Sequence, residues 1–186
     1  MEQTKKEKNE VWEWAKALLI AFGLAFIIRY FLFTPIVVDG ESMMPTLENG
    51  ERMVVNKIGY QFGELKRQDI VVFHASEDKD YVKRVIGVPG DHVAYKNDQL
   101  YINGEIQEEP YLDSYKAQLP SGTLTEDFTL EEYTRKSVIP EGYVFVMGDN
   151  RRESLDSREI GLVSIKEIIG DTNVIFWPLK DMGIVK

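Results

Sequence analysis

The sequence predicts a mainly β, antiparallel domain, curled or barrel-like, that follows a single N-terminal transmembrane helix. Two observations lead to this fold class. An unbroken apolar run occupies positions 17–28, and the chain beyond position 34 consists of short runs rich in Val, Ile, Phe and Tyr with turn sequences between them. No part of that second region repeats apolar residues with the period of a long helix. With 186 residues and 44% apolar composition, the chain is long enough for one domain with a sizeable core.

The apolar run is long enough to cross a bilayer. The segment Trp12–Phe33 contains 22 residues, which corresponds to about 33 Å as a helix. Lys16 and Arg29 lie near its two ends, where basic side chains can reach lipid headgroups. The following sequence, FLFTPIVVDG, lacks the small-x-small pattern of a cleavage site, and positions 17–28 lack the polar face of a core helix. We therefore expect a retained anchor rather than a cleaved signal peptide or a buried helix.

The basic residues near the ends of the run indicate its orientation. Four lysines precede the run, whereas neither lysine nor arginine occurs between Tyr30 and Glu51. We expect a cytoplasmic tail at residues 1–11, an anchor at 12–33 and an extracytoplasmic domain at 34–186. The protein would then be a single-pass protein of the cell membrane with a cytoplasmic N-terminus (type II), and the lipid bilayer would be one of its partners.

Seven runs in the domain have the composition of strands. They are Arg52–Ile58, Asp69–Phe73, Tyr81–Ile86, His92–Tyr95, Leu100–Ile102, Tyr143–Met147 and Asn173–Trp177. Turn signals such as VPGD at 88–91 and Asn-Gly at 103–104 stand between them. Residues 107–140 are polar and acidic without clear alternation, so we expect a hairpin or loop excursion inserted between core strands. That segment indicates no chemistry.

The composition excludes several classes of function. The chain has no cysteine, which removes disulfides, thiol catalysis and cysteine-based zinc sites. Its formal charge of -9 argues against a nucleic-acid partner, because phosphate binding needs a basic surface. Two histidines, His74 and His92, leave little room for a metal site or a histidine-based triad, and we interpret both as ordinary strand or turn residues. We expect neither a metal nor a cofactor.

Three short segments carry candidate chemistry. Ser42 stands in GESMMPT at 40–46, nine residues beyond the apolar span, where Pro45 stiffens the turn. Lys83 stands in the strand-like YVKRVIGVPGD at 81–91. It is either an edge-strand lysine that discourages aggregation or a buried lysine with a lowered pKa. The third segment, GDNRRESLDSR at 148–158, alternates carboxylates and arginines at spacings that allow two-point pairing within one loop.

In this order, the anchor and the three segments resemble the conserved boxes of type I signal peptidases, and the short tail and single anchor are similar to the Gram-positive form. The resemblance covers the whole chain. It implies a serine endopeptidase that removes signal peptides from exported preproteins at Ala-x-Ala-like sites. It also implies that Ser42 is the nucleophile, that Lys83 is its general base and that Ser154 orients the lysine amine. The residues that it implies shape the site are Met43, Arg84, Asp149, Arg151, Asp156 and Arg158.

One position departs from part of the family. Some members carry a serine two positions before the nucleophile, and its hydroxyl helps to form the oxyanion hole. This chain has Gly40 there, as Gram-positive members often do. The backbone N–H of Ser42, with that of Gly40 as the second candidate, is then expected to bind the oxyanion.

Other readings remain open from the sequence. A self-cleaving repressor-type protease resembles the family in fold and Ser–Lys dyad, but such proteins are cytosolic and carry a DNA-binding half, which the anchor and the negative charge disfavour. A membrane-tethered binding module without activity would share the anchor and the β domain. The Ser-x-x-Lys at 76–79 fits the nucleophile motif of penicillin-binding proteins, but it lies in an acidic loop without their companion motifs.

The expected orientation is tested by protease accessibility. A protease added outside spheroplasts should digest residues 34–186 and spare residues 1–11, because only the domain would face outward. Immunoblotting of epitope tags at the two ends of the chain measures both fates in one sample. Digestion of the N-terminal tag with a protected domain would contradict the orientation derived from the lysines.

Overall fold

The computed structural model describes residues 10–27, 29, 32–57 and 65–185. Helix α1 (Glu10–Ile27) comes first and precedes a domain of antiparallel strands. Among the described residues, we find no helix that reaches the combined length and hydropathy of a membrane-spanning segment. Positions 1–9 of the expected tail, and positions 28 and 30–31 of the expected anchor, lie outside the described residues.

Twelve strands occur in the described part of the chain. They are β1 (Phe33–Val37), β2 (Arg52–Asn56), β3 (Ile70–Ser76), β4 (Lys79–Gly87), β5 (Val93–Lys96), β6 (Gln99–Ile102), β7 (Glu105–Gln107), β8 (Phe128–Thr129), β9 (Tyr143–Met147), β10 (Val163–Ser164), β11 (Ile168–Trp177) and β12 (Gly183–Ile184). The larger sheet follows the order β1-β2-β11-β3-β4-β9-β10, with β12 paired to β11. The smaller sheet follows the order β7-β6-β5-β8. All of these pairs are antiparallel, which confirms the mainly β, antiparallel class.

Strand β9 shows how the alternation of the sequence builds the core. Val144 and Val146 pack in one hydrophobic cluster with residues of β3 and β4, whereas Phe145 and Met147 pack in another with residues of the smaller sheet. Successive side chains of a strand point to opposite faces, so a run of five apolar residues can serve two clusters. This strand therefore joins the two sheets, and its last residue precedes the GDNRRESLDSR segment directly.

The predicted strands agree with the observed ones to differing degrees. Tyr143–Met147 has the predicted bounds, and five other runs overlap a strand with neither end displaced by more than three residues. The predicted end of the first run, position 58, lies outside the described residues. The predicted Asn173–Trp177 is the second half of β11, which begins at Ile168. Its first half contains Gly170 and Asp171, which have low strand propensity, and the pairing there contains register shifts.

Residues 107–140 differ from the expected hairpin or loop excursion. This segment contains a short 3₁₀ helix (Pro110–Leu112), helices α2 (Asp113–Gln118) and α3 (Leu130–Thr134), and strand β8, which pairs with β5. Buried apolar side chains anchor it to the domain at Leu112, Leu124, Phe128, Leu130 and Ile139. These anchors are separated by polar residues at irregular intervals, so neither a strand nor a helix period reveals them in the sequence. A fourth helix, α4 (Ser157–Ile160), follows the GDNRRESLDSR segment.

Candidate active site

Ser42 and Lys83 meet in the structure although 41 residues separate them in the sequence. Lys83 Nζ donates a hydrogen bond to Ser42 Oγ at 2.6 Å. Ser42 belongs to the turn that connects β1 to β2, and Lys83 lies on β4. The turn is fixed beside the strand because the backbone N–H of Asn150 donates to the carbonyl of Ser42 at 3.0 Å. The GDNRRESLDSR segment therefore fixes the backbone of Ser42 through this hydrogen bond.

Lys83 is a buried lysine and does not lie on a sheet edge. Strand β4 pairs with β3 on one side and with β9 on the other, and only 3% of Lys83 is exposed. Burial lowers the pKa of Lys83 to about 8, although the negative charges of Asp156 and Asp149 oppose that change. Its Nζ also lies 5.2 Å from the centre of the Tyr81 ring. With this pKa, roughly a tenth of the amine is unprotonated at pH 7 and about half at pH 8, so a neutral form that can accept a proton is accessible.

Arg84 and Asp149 form a fully buried ion pair next to the dyad. Two guanidinium nitrogens of Arg84, Nε and Nη2, donate to the two carboxylate oxygens of Asp149 at 2.9 and 2.7 Å. Arg84 Nη1 also donates to the carbonyl of Gln68 at 2.9 Å. This planar two-point contact fixes the orientation of both groups. It ties the strand that carries the lysine to the start of the GDNRRESLDSR segment.

Asp156 and Arg158 pair within the segment, as the alternating charges suggested. Arg158 Nε and Nη2 donate to the two carboxylate oxygens of Asp156, each at 2.8 Å. Asp156 is also the N-cap of α4 and accepts a hydrogen bond from the backbone N–H of Gly148 at 3.0 Å. One carboxylate thus closes the loop between residues 148 and 158.

Arg151 takes a partner outside the segment. Its Nη2 donates to Glu109 Oε1 at 2.6 Å, and its Nη1 donates to Tyr95 Oη and, at 3.2 Å, to Thr125 Oγ1. Arg151 and Glu109 are both buried. The sequence did not indicate Glu109, Tyr95 or Thr125, and two of them lie in the segment to which we assigned no chemistry. A buried arginine always needs an acceptor, but nothing in the sequence pattern identifies which acidic residue supplies it.

Ser154 lies close to the carbonyl of Ser42 but makes no hydrogen bond to the lysine amine in this structure. It is buried, and among the described residues its Oγ has no hydrogen-bond partner. Gly148 separates it from the nucleophile: a Cβ on Gly148 would lie 2.1 Å from Ser154 Oγ and 2.3 Å from the carbonyl oxygen of Ser42. Only a glycine permits this packing. The role of Ser154 in orienting Lys83 stays a prediction.

The expected second oxyanion donor is already occupied. The backbone N–H of Gly40 donates to Asn49 Oδ1 at 3.0 Å, so in this structure it is not directed at a substrate carbonyl. Gly40 has a φ of +96°, which a residue with a side chain adopts only with strain. Within the described residues, the N–H of Ser42 donates to no acceptor. Met43 is buried in the hydrophobic cluster beneath the turn, next to Leu47 and Met53.

A cleft of about 500 Å³ opens over the dyad. One wall is formed by the end of β1 and the residues that follow it, and the other by Val72 and the residues around Lys83. Apolar side chains line much of it: Ile36, Val37, Val38, Val72, Val82 and Leu155. Strand β1 pairs with β2 only, so within the described residues its other edge is open toward this cleft. The site thus combines a serine hydroxyl, a buried lysine amine and an extended apolar surface.

The two histidines do not line the cleft over Ser42 and Lys83. His74 Nδ1 lies 2.7 Å from Asp80 and His92 Nε2 lies 3.2 Å from Glu131, in both cases on the surface.

Comparison with known proteins decides the family. A family profile described as signal peptidase, peptidase S26, matches residues 11–177. The chain belongs to the signal peptidase family. It is 50% identical over 183 residues to signal peptidase I of Bacillus caldolyticus, covering 98% of each chain. It is 45% identical over 178 residues to signal peptidase IB of Staphylococcus aureus (strain COL), covering 94% of this chain and 93% of the relative.

A solved structure shares the family and the fold. The crystal structure of a signal peptidase I from Enterococcus faecalis V583 is 42% identical and gives a TM-score of 0.56, covering 58% of this chain and 96% of that chain. The resemblance to type I signal peptidases is thereby confirmed. As a member of this signal peptidase family, the chain is a peptidase.

Ser154 and Asp156, two residues of the GDNRRESLDSR loop, should respond differently to substitution. Ser154→Ala should reduce turnover by about 10- to 1000-fold with little change in melting temperature, because catalytic hydrogen bonds often tighten only when substrate is bound. Asp156→Ala should lower both the turnover and the melting temperature. The free energy of unfolding should fall by about 3–5 kcal/mol, because Arg158 and the N–H of Gly148 would lose their acceptor. Turnover and thermal unfolding of both variants measure this. An early-melting Ser154→Ala protein, or a stable but inactive Asp156→Ala protein, would reverse the two assignments.

Proposed function

We propose that this protein is a membrane-bound serine endopeptidase that removes signal peptides from exported preproteins at Ala-x-Ala-like sites. The observation that carries the proposal is the 2.6 Å hydrogen bond from Lys83 Nζ to Ser42 Oγ, made by a buried lysine whose pKa is lowered to about 8. A serine activated by a neutral lysine is a known form of the nucleophile–base pair of acyl transfer. Relatives with 45–50% identity carry the name signal peptidase I or IB, which agrees with this chemistry.

The first half of the reaction forms an acyl-enzyme. Neutral Lys83 Nζ takes the proton of Ser42 Oγ while the oxygen bonds to the scissile carbonyl carbon, and the carbonyl oxygen becomes an oxyanion. The N–H of Ser42 is the donor available to that oxyanion within the described residues. Collapse of the intermediate breaks the C–N bond, and the lysine ammonium gives its proton to the leaving amine. The mature protein departs, and the signal peptide remains esterified to Ser42.

The second half of the reaction regenerates the serine. Lys83 Nζ, neutral again, takes a proton from a water molecule whose oxygen attacks the ester carbon. The intermediate then expels Ser42 Oγ, which recovers its proton from the lysine. One lysine thus acts twice as a base and twice as an acid. The buried pairs around it, Arg84 with Asp149 and Arg158 with Asp156, hold the groups that surround the amine in a single geometry.

The open edge of β1 supports an extended substrate. The segment from Pro35 to Asp39 can bind the residues before the scissile bond as an added strand, because β1 pairs only with β2 within the described residues. Side chains of the substrate would then alternate between solvent and the apolar wall of the cleft. Ile36, Val82 and Leu155 belong to the apolar lining of the cleft, and we infer that they leave room for small side chains at the positions that point inward.

Helix α1 supports the membrane anchor. From position 17 onward its described part contains no charged residue, and large apolar side chains such as Leu19 and Phe22 are 75% and 73% exposed. An apolar helix surface of this kind is stable only when another apolar phase covers it. We infer that this apolar phase is the interior of the lipid bilayer. Since Ser42 follows Phe33 by nine residues, or about 30 Å of extended chain, the nucleophile would work close to the outer membrane surface.

The dyad is tested by substitution in the detergent-solubilised full-length protein. Ser42→Ala and Lys83→Ala should each reduce cleavage of a preprotein by about 10³-fold or more, and the double variant should be no worse, because the two residues act as one unit. Lys79→Ala, on the exposed part of the same strand, and His92→Ala serve as controls and should retain activity. Substantial activity in the Lys83→Ala protein would refute the Ser–Lys mechanism. If the wild-type protein cleaved no Ala-x-Ala substrate, the result would favour the alternative of a membrane-tethered binding module without activity.

The pH dependence follows from the lowered pKa of Lys83. Below about pH 8 the amine of the free enzyme is mostly an ammonium ion and cannot accept the proton of Ser42. The value of kcat/KM should therefore rise about tenfold per pH unit through the acidic range and level off above about pH 8. Initial rates on a peptide substrate between pH 5 and pH 10 measure the midpoint. A midpoint near pH 6.5 would indicate a histidine, and a midpoint near pH 10 would indicate an exposed lysine.

A further inference from the structure

Residues 107–140, whose sequence indicated no chemistry, contact both buried arginines of the site, Arg84 and Arg151. Glu109 precedes the short 3₁₀ helix Pro110–Leu112, and its Oε1 accepts hydrogen bonds from Arg151 Nη2, Tyr95 Oη and Tyr111 Oη at 2.6, 2.6 and 2.8 Å. The ring of Tyr111 lies directly against the guanidinium of Arg84, with 3.8 Å between the guanidinium carbon and the ring centre. A single side chain, Tyr111, is therefore in contact with both arginine systems.

The two arginines flank the part of the chain that supports the nucleophile. Arg84 is paired with Asp149, and Arg151 is paired with Glu109. Asn150, which lies between Asp149 and Arg151 in the sequence, donates its N–H to the carbonyl of Ser42. All four charged groups are almost completely buried. A buried guanidinium keeps its position only when its acceptors and stacking partners are fixed. The position of residues 149–151 thus depends on contacts from outside the loop.

We propose that Glu109 and Tyr111 are positioning residues of the active site, which hold residues 149–151 against Ser42 by fixing Arg151 and Arg84. This inference rests on the proposed Ser42–Lys83 chemistry. Glu109 acts through the charge and hydrogen bonds that it gives to Arg151, and Tyr111 acts through its ring on Arg84 and its hydroxyl on Glu109. Neither side chain lines the cleft that contains the dyad.

A positioning role for Tyr111 also has an electrostatic consequence at Lys83. The amine is faced by Ser42 from the turn, by the Tyr81 ring on its own strand, and by Asp149 and Asp156 from the loop. Other carboxylates of the same cleft belong to Asp39, Glu41, Asp80 and Glu153. Asp149 favours the ammonium form of Lys83, and Arg84 is the cation that neutralises Asp149. If the ring that holds Arg84 is lost, Asp149 should attract the lysine proton more strongly.

Two substitutions at Tyr111 separate the ring from the hydroxyl. Tyr111→Leu removes the surface on which Arg84 rests, so kcat should fall by about 10- to 100-fold with KM within about twofold. The midpoint of the pH–rate profile should also move upward by about 0.5 unit. Tyr111→Phe keeps the ring and loses the two hydrogen bonds of the hydroxyl, the one donated to Glu109 and the long one of 3.4 Å accepted from Arg151 Nη2. The value of kcat should then fall by less than about tenfold, with the midpoint at its wild-type value.

The experiment uses the full-length protein in detergent with a peptide substrate, and it measures melting temperature, kcat, KM and the pH midpoint of each variant. Tyr101→Leu is the matched control, since this half-buried tyrosine of β6 contacts Gln99 rather than the site. It should lower the melting temperature without moving the midpoint. If Tyr111→Leu does not fold, Glu109→Gln replaces it: kcat should fall because the charge of Arg151 loses its counterion, and KM should not change.

The outcomes that overturn the proposal differ from those that overturn the proposed function. A Tyr111→Leu protein whose activity falls only with its folded fraction, at an unchanged midpoint, would make Tyr111 a purely structural residue. Glu109→Gln with an unchanged kcat would do the same for Glu109. In both cases Ser42→Ala would still abolish cleavage. If Ser42→Ala retained wild-type activity, the dyad itself would be refuted, whatever the variants at 109 and 111 show.

Discussion

Lys83 can accept a proton from Ser42 only if burial favours the neutral form of its amine in a region that is rich in carboxylates. Burial on a central strand supplies the dry environment and lowers the pKa of Lys83 to about 8, while Asp149 and Asp156 act in the opposite direction. The surrounding structure limits that opposition, because each of these two carboxylates makes a two-point contact with an arginine. The architecture of the GDNRRESLDSR loop follows from this need to keep charges close to the lysine and yet neutralised.

The buried ion pairs contribute more to geometry than to stability. Removing four charged groups from water, as in Arg84–Asp149 and Arg151–Glu109, costs several kcal/mol for each ion, and the attraction within each pair returns about as much. Replacing a pair with apolar residues is therefore often neutral, whereas breaking one by removing a single partner costs about 3–5 kcal/mol. Two-point contacts of this kind define one arrangement of the loop that contacts Ser42 through the N–H of Asn150. Glu109 Oε2 and Arg151 Nε have no hydrogen-bond partner among the described residues, which adds to the free-energy cost of burying this pair.

Local regularity explains which parts of the fold could be predicted from the sequence. Strand β9 was predicted with its bounds because five apolar residues stand between clear turns. Ser42 and Lys83, which the sequence singled out through motifs in a specific order, lie within hydrogen-bond distance of each other. Glu109 and Tyr111 could not be found, since they lie in a polar segment without a period and their partner Arg151 is 42 and 40 residues away. The hydrogen bond of the Gly40 N–H depends on one side chain, Asn49, whose rotamer no sequence pattern specifies. Pairing over such distances is decided by the whole fold.

The burial of Lys83 also couples protonation to the folding equilibrium. A lysine in the unfolded chain titrates near 10.5, whereas the folded pKa is about 8, so between these two pH values the unfolded state binds more protons than the native state. The free energy of unfolding therefore increases as the pH rises through this window, by roughly 3 kcal/mol in total, and is lower by that constant amount at every pH below it. At neutral pH the free energy of unfolding is thus lower than it would be at a pH above the unfolded-state pKa of this lysine. Under conditions in which Lys83 is mostly charged, its burial therefore lowers the free energy of unfolding, and the packing of the two sheets must offset that loss.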